Sequence, residues 1–187
     1  MPTIRLATST DAAAVAEIYR PAVLEHATSF EQTAPDAEEM ARRIETITVR
    51  TPWLVWEEDG VVLGYAYASP HRERPAYRWA VDVSAYVRDG QQRRGIGRGL
   101  YQELFRILTL QRFVVAYAGI VLPNPSSVGL HESLGFTLVG VYRGVGYKFG
   151  AWHDVAWHSR DLAPREVPMG EVMGMGEIRK DSAHDTK

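Results

Sequence analysis

Tyr86-Val-Arg-Asp-Gly-Gln-Gln-Arg-Arg-Gly-Ile-Gly-Arg-Gly-Leu-Tyr101 joins a β-rich run, Ala80 to Val87, to a stretch of helical apolar spacing, Gly97 to Leu110. Gly95 and Gly97 allow a tight turn and remove the side chains that would hold an anion away from the peptide N–H groups. Those groups point outward from the start of a helix, and the dipole there favours a phosphate by about 0.3–1 kcal/mol. Arg93, Arg94 and Arg98 add local positive charge. Two familiar phosphate loops do not fit. A dinucleotide turn requires G-x-G-x-x-G directly after the strand, but Leu100 stands at the third glycine position and seven residues separate Val87 from Gly95. A Walker loop requires Gly-Lys-Ser/Thr, which is absent from the chain.

Outward from this turn, the chain reads as strands and helices mixed. Ile4 and Leu6 alternate as a first strand, and Thr8 with Asp11 forms a capping-box pattern opening an Ala-rich helix through Tyr19. Thr33-Ala-Pro-Asp36 repeats the start signal, with Pro35 expected in the first turn of a helix whose Met40, Ile44 and Ile47 share a face. Trp53 to Glu58 and Val61 to Ala68 flank Asp59-Gly60, a type I′ hairpin pair. Phe113 to Leu122 suits a buried strand, Ser126 to Leu134 a short helix, and Phe136 to Tyr142 and Val155 to Leu162 two further strands. An α/β chain follows, with helices on both faces of a mixed sheet.

The composition narrows the function classes. The chain has 187 residues, 45% of them hydrophobic, with a formal net charge of -2. One domain over 1–163 is the expectation. The charge balance argues against nucleic acid or anionic membrane as a partner. With no Cys there is neither a disulfide nor a thiolate nucleophile, and no H-x-x-x-H pair suggests a metal. The N-terminal residues lack a secretory or spanning apolar run, so a cytoplasmic location is expected. From Pro164 to Lys187, glycines, prolines and a polar end predict a flexible tail.

The spacing of Gln92-Arg-Arg-Gly95-Ile-Gly97 resembles the pyrophosphate-binding motif of the GNAT acyltransferase superfamily, Q/R-x-x-G-x-G/A. Asn124, Ser127, His131 and Leu134-Gly135-Phe136 resemble that superfamily's second cofactor segment. Trp53-Leu-Val, Gly64 to Ala68, Leu122-Pro-Asn124, Leu130 to Gly135, Gly146-Tyr-Lys and Trp152-His-Asp-Val155 are similar to the phosphinothricin and methionine sulfoximine N-acetyltransferase branch. The resemblance spans roughly residues 3–162. It implies a mostly antiparallel sheet splayed between two central strands, and transfer of acetyl from acetyl-CoA, the only cofactor, to the primary amine of a small amino acid or analogue. It also implies a homodimer. On the family pattern, Ala85, Tyr86 and Val87 hold the pantetheine arm, Arg93, Arg94, Gly95, Ile96, Gly97 and Arg98 the pyrophosphate, and Asn124 and Ser127 the arm's other edge.

The acceptor chemistry requires a base, because an α-amine with a reference pKa near 8 is roughly nine-tenths protonated at neutral pH. Asp82 lies in the otherwise apolar Val81-Asp82-Val83, where an acid is costly unless paired or wetted. Related enzymes mostly carry Glu there; the shorter Asp82 is expected to act through a bridging water with a raised pKa. His131 occupies the place of the superfamily's thiolate-protonating tyrosine and suits acid or base work. Lys148 and His153 are expected to be structural. An acceptor carboxylate suits an Arg fork, for which Arg72, Arg74 and Arg78 are available, with Phe30 as the family's aromatic lid. Competing expectations are the same fold acting on a polyamine, aminoglycoside or protein N-terminus, and an acyl-CoA-binding regulator without turnover.

Overall fold

The computed structural model describes residues 1–178. Its centre is a seven-stranded sheet in the order β1 (Thr3–Leu6), β2 (Trp53–Glu58), β3 (Val61–Pro70), β4 (Ala80–Val87), β5 (Val115–Val121), β7 (Ala151–Asp161) and β6 (Thr137–Lys148). Every neighbouring pair is antiparallel except β4 and β5. Helices α1 (Ala12–Leu24) and α2 (Ala37–Thr48) cover one face, and α3 (Ile96–Leu110) and α4 (Pro125–Ser133) the other.

Local chemistry explains the elements. The Thr8 amide donates to Asp11 Oδ2 at 2.9 Å, closing the expected capping box ahead of α1. Asp36 caps α2 by accepting from the Glu39 amide, so Pro35 sits before the helix rather than in its first turn. Asp59 and Gly60 have φ of 50° and 79°, the two positive angles that a type I′ turn demands. Leu100, Leu104 and Leu108 repeat along α3 and are fully buried, each burial stabilising by about 1.5–3 kcal/mol. Val15, Ile18, Met40 and Ile44 fill the opposite layer.

Two larger features also depart from the sequence expectations. The last hairpin is longer on both strands, because Phe149 and Gly150, with φ of 50° and 76°, make a second tight turn that pairs Lys148 with Ala151. The segment after residue 163, expected to be flexible, follows the body of the fold as far as Ile178. Met175 is buried in the α3 layer, and the buried Gln111 donates from Nε2 to the Arg50 and Met173 carbonyls at 2.7 and 2.9 Å. Trp79 Nε1 donates to the Gly170 carbonyl, and Arg78 pairs with Glu171. Composition concealed this because a few apolar contacts and backbone hydrogen bonds suffice where a core surface already exists. The rest of the tail expectation, 179–187, lies outside the described residues.

Candidate active site

The β4–β5 pairing is short. Only Ala80, Val81 and Asp82 are matched, to Val115, Ala116 and Tyr117, and beyond that rung the strands part. From Val83 onward one edge of β4 therefore has no strand to bond among the described residues, leaving backbone donors and acceptors available to a ligand. A cleft of about 790 Å³ occupies the opening, lined by Val83 to Val87 on one side and Ala118 to Val121 on the other. Thr28, from the α1–α2 connection, also lines it.

At the outer end lies the glycine turn. Gly95 caps α3 with φ of 81°, a left-handed conformation that a Cβ disfavours. The amides of Ile96, Gly97 and Arg98 belong to the first turn and have no carbonyl one turn earlier to bond. Arg93 and Arg98 line the same end. Asn124 caps α4, its Oδ1 accepting from the Ser127 amide at 3.0 Å, and both residues face the cleft. The lining thus offers an anion cradle at one end and an apolar slot with bare peptide groups in the middle. That fits a long thioester carrier with a diphosphate.

The acetyltransferase (GNAT) domain profile matches residues 4–157 of this chain. The chain belongs to the GNAT acetyltransferase family. The phosphinothricin N-acetyltransferase of Streptomyces viridochromogenes is 42% identical over 159 residues, covering 85% of this chain and 87% of that protein. The L-methionine sulfoximine/L-methionine sulfone acetyltransferase of Salmonella typhimurium is 36% identical, with coverages of 89% and 98%. Among solved structures, a GNAT phosphinothricin acetyltransferase from Sinorhizobium meliloti in complex with acetyl-CoA superposes with a TM-score of 0.85 at 38% identity, covering 92% of this chain and 93% of that one. The splayed, mostly antiparallel GNAT sheet expected from the sequence is the sheet observed.

In this GNAT fold the expected site residues separate into groups. Ala85, Tyr86, Val87, Arg93, Gly95, Ile96, Gly97, Arg98, Asn124, Ser127 and His131 all line the one cleft. Arg94 turns away from it, its guanidinium bonded to Glu58 at 2.7 Å and to Gln91. His131 is buried, with Nδ1 2.7 Å from the Ser127 carbonyl and Nε2 3.0 Å from the Tyr101 hydroxyl. The carbonyl can only accept, so Nδ1 carries the proton and Tyr101 donates to Nε2. Burial holds the His131 pKa below its ordinary value, keeping the ring neutral.

Asp82 stands on the last paired rung, and burial raises its pKa above the usual carboxylate range, opposed by His71 and Arg72. Of the three loop arginines, Arg72 acts electrostatically on Asp82; its guanidinium lies 5.8 Å over the Trp157 ring, and it also lines the hollow that holds the other two. Arg74 and Arg78 are not brought to Asp82. They line a separate hollow of about 50 Å³ with Arg50 and Phe113, and Arg78 is committed to Glu171. Phe30 lies beside His153, at 6.3 Å between ring centroids, with its ring packed on Gly146. Lys148 and His153 hydrogen-bond to backbone carbonyls.

Sequence reasoning missed His71 and Tyr101. His71 Nδ1 lies 2.6 Å from Asp82 Oδ1, and its ring stacks on Tyr117. The β3–β4 register places His71 opposite Ala80, hence diagonal to Asp82 on the same face. The loop of residues 71–79 hides that register from the sequence. Tyr101 falls on the apolar stripe of α3, where nothing distinguishes it from core.

Proposed function

We propose that this GNAT protein transfers acetyl from acetyl-CoA to the primary amine of a small amino acid of the phosphinothricin, methionine sulfoximine or methionine sulfone type. The observation that carries this reading is the continuity of the cleft. Its lining runs from the Gly95 turn to Val83 and Ala118, one residue beyond the Asp82–Tyr117 rung. The relatives' printed activities supply the acceptor class.

Acetyl-CoA, when bound, supplies the reactive thioester. The α3 amides with Arg93 and Arg98 hold its diphosphate, and the free edge of β4 at Ala85, Tyr86 and Val87 aligns the pantetheine arm between the strands. Asn124 and Ser127 guide the same arm from the α4 side. Asp82 provides the negative charge beside which the acceptor ammonium loses its proton, and burial makes it more basic than an ordinary carboxylate. Arg72 faces the acceptor carboxylate, and the loop carrying Thr28 and Phe30 closes that side. His131 is neutral and lines the cleft together with Tyr101, which donates to its Nε2; this hydrogen-bonded pair would return a proton to the departing thiolate.

We further propose that two copies pair through the last hairpin, whose Val139, Tyr147, Phe149 and Trp152 are all more than half exposed. The reaction is placed in the cytoplasm, where acetyl-CoA is made, and resistance to phosphinothricin follows if that compound is an acceptor. Thiol release from acetyl-CoA, measured against phosphinothricin, methionine sulfoximine, methionine sulfone, ordinary amino acids and polyamines, tests the reading. Turnover confined to amino-acid analogues is expected. Binding without turnover on any amine favours a regulator, and preference for polyamines overturns the acceptor assignment.

A further inference from the structure

His71 is placed by four strands at once. It leaves the end of β3, hydrogen-bonds Asp82 of β4 at 2.6 Å, stacks on Tyr117 of β5 at 4.4 Å between centroids, and meets Trp157 of β7 edge-on at 6.0 Å. The ring lies over the rung where β4 and β5 part, so it sits at the closed end of the wedge. Its Nδ1 is taken by Asp82, and Nε2 makes no hydrogen bond among the described residues. A carboxylate beside one imidazole nitrogen fixes the tautomer and leaves the other nitrogen basic. It also stabilises the cation formed when that nitrogen takes a proton. Asp82 is partly enclosed and short, whereas the imidazole extends the reach of its charge by the width of a ring.

We propose that His71 Nε2 is the atom that takes the proton from the acceptor ammonium, with Asp82 as the positioning carboxylate behind it. The inference rests on the acetyl-transfer reading above and says how its base is built. Of the ammonium's three protons, one passes to Nε2 and on to solvent. A second ends on the coenzyme's sulfur as the C–S bond gives way to the new C–N bond, and the third stays on the amide. The charged and titratable groups facing the ring are Asp82, Tyr117, Tyr77 and Arg72.

The test is His71→Asn in the full chain. The amide nitrogen replaces Nδ1 as a donor to Asp82, and the variant has no second ring nitrogen. The expected result is a fall of about 10²-fold in kcat/KM for the amine, within the range that a positioned base contributes. Acetyl-CoA affinity by calorimetry stays within about twofold, and the residual rate climbs with pH as free amine appears, toward the amine pKa near 8. Adding Asp82→Asn to His71→Asn is expected to cost little more, since the two act as a unit. A His71→Asn enzyme retaining half of wild-type turnover across pH 6 to 9, or losses that multiply in the double variant, overturns the proposal while leaving acetyl transfer intact. Should His71→Asn fail to fold, His71→Ala is assayed with added imidazole. Recovery of turnover supports the proposal, and intact acetyl-CoA binding without recovery overturns it. Absence of thiol release by the wild-type protein on every amine is the separate failure of the acetyl-transfer reading.

Discussion

Lys148 donates from Nζ to the Ser29 carbonyl at 2.6 Å and to the His26 carbonyl at 3.0 Å, tying the turn of the last hairpin to the α1–α2 connection. The side chain is buried, which lowers its pKa, so the ammonium relies on these two carbonyls. The tie fixes the connection that carries Thr28, which lines the cleft, and Phe30, which lies beside His153. Lys148→Met keeps the apolar stem and leaves both carbonyls unpaired. It is expected to raise the KM for the amine several-fold and to leave acetyl-CoA affinity unchanged. Steady-state kinetics with each substrate varied in turn checks this, and equal effects on both would show that the tie does not serve the acceptor.

Gly146 makes the same point by packing. A Cβ there would overlap two Phe30 ring carbons, Cε2 and Cζ, so Gly146→Ala must displace that side chain. The expected cost is about 1–3 kcal/mol, the usual range for overpacking, together with a weaker amine KM. Thermal unfolding and the same kinetics measure the two parts.

At the other end of the cleft, Gly95→Ala meets no protein atom within 4 Å but must adopt a φ of 81°. Left-handed strain costs about 1–2 kcal/mol for an ordinary residue. A modest drop in melting temperature and a larger loss of acetyl-CoA affinity are expected, because relaxing the turn swings the α3 amides. Calorimetric titration with acetyl-CoA decides it; undiminished affinity would remove the turn from the coenzyme site.

Stability against pH should fall in two steps. His131 has a folded pKa below the 6.5 of the free side chain, so the unfolded chain binds the extra proton first and stability is lost as pH drops through 6.5 toward the folded value. Asp11 is held below 3.8, chiefly by its hydrogen bond to Arg5, and its contribution is lost as pH falls below 3.8. His131→Gln should flatten the first step and leave the second. Arg5→Ala should weaken the second and cost about 1.5–3 kcal/mol near neutrality, the range for charged hydrogen bonds. Urea titrations from pH 3 to 8 separate the two steps.

What could be read from the sequence was whatever local chemistry determines. Asp59-Gly60, the Thr8–Asp11 box and the α3 stripe each specify their own conformation, and the glycine turn announces its anion without reference to the rest of the chain. Tyr101 escaped notice within the apolar stripe of α3, and the other misplaced residues depend on tertiary arrangement. His71 meets Asp82 only because β3 and β4 pair as they do across a nine-residue loop, and Arg74 and Arg78 point elsewhere because Glu171 and a hollow beside Phe113 claim them. Phe149-Gly150 turns with a positive angle on an aromatic residue, which no turn preference foretells.

The bond from Trp79 to Gly170 and the pairing of Arg78 with Glu171 fasten the chain's closing stretch to the back of the loop that bears His71 and Arg72. Shortening, tagging or grafting there is expected to shift that loop, which a changed KM for the amine would show. Acceptor preference would then be adjustable from a place remote from the substrate.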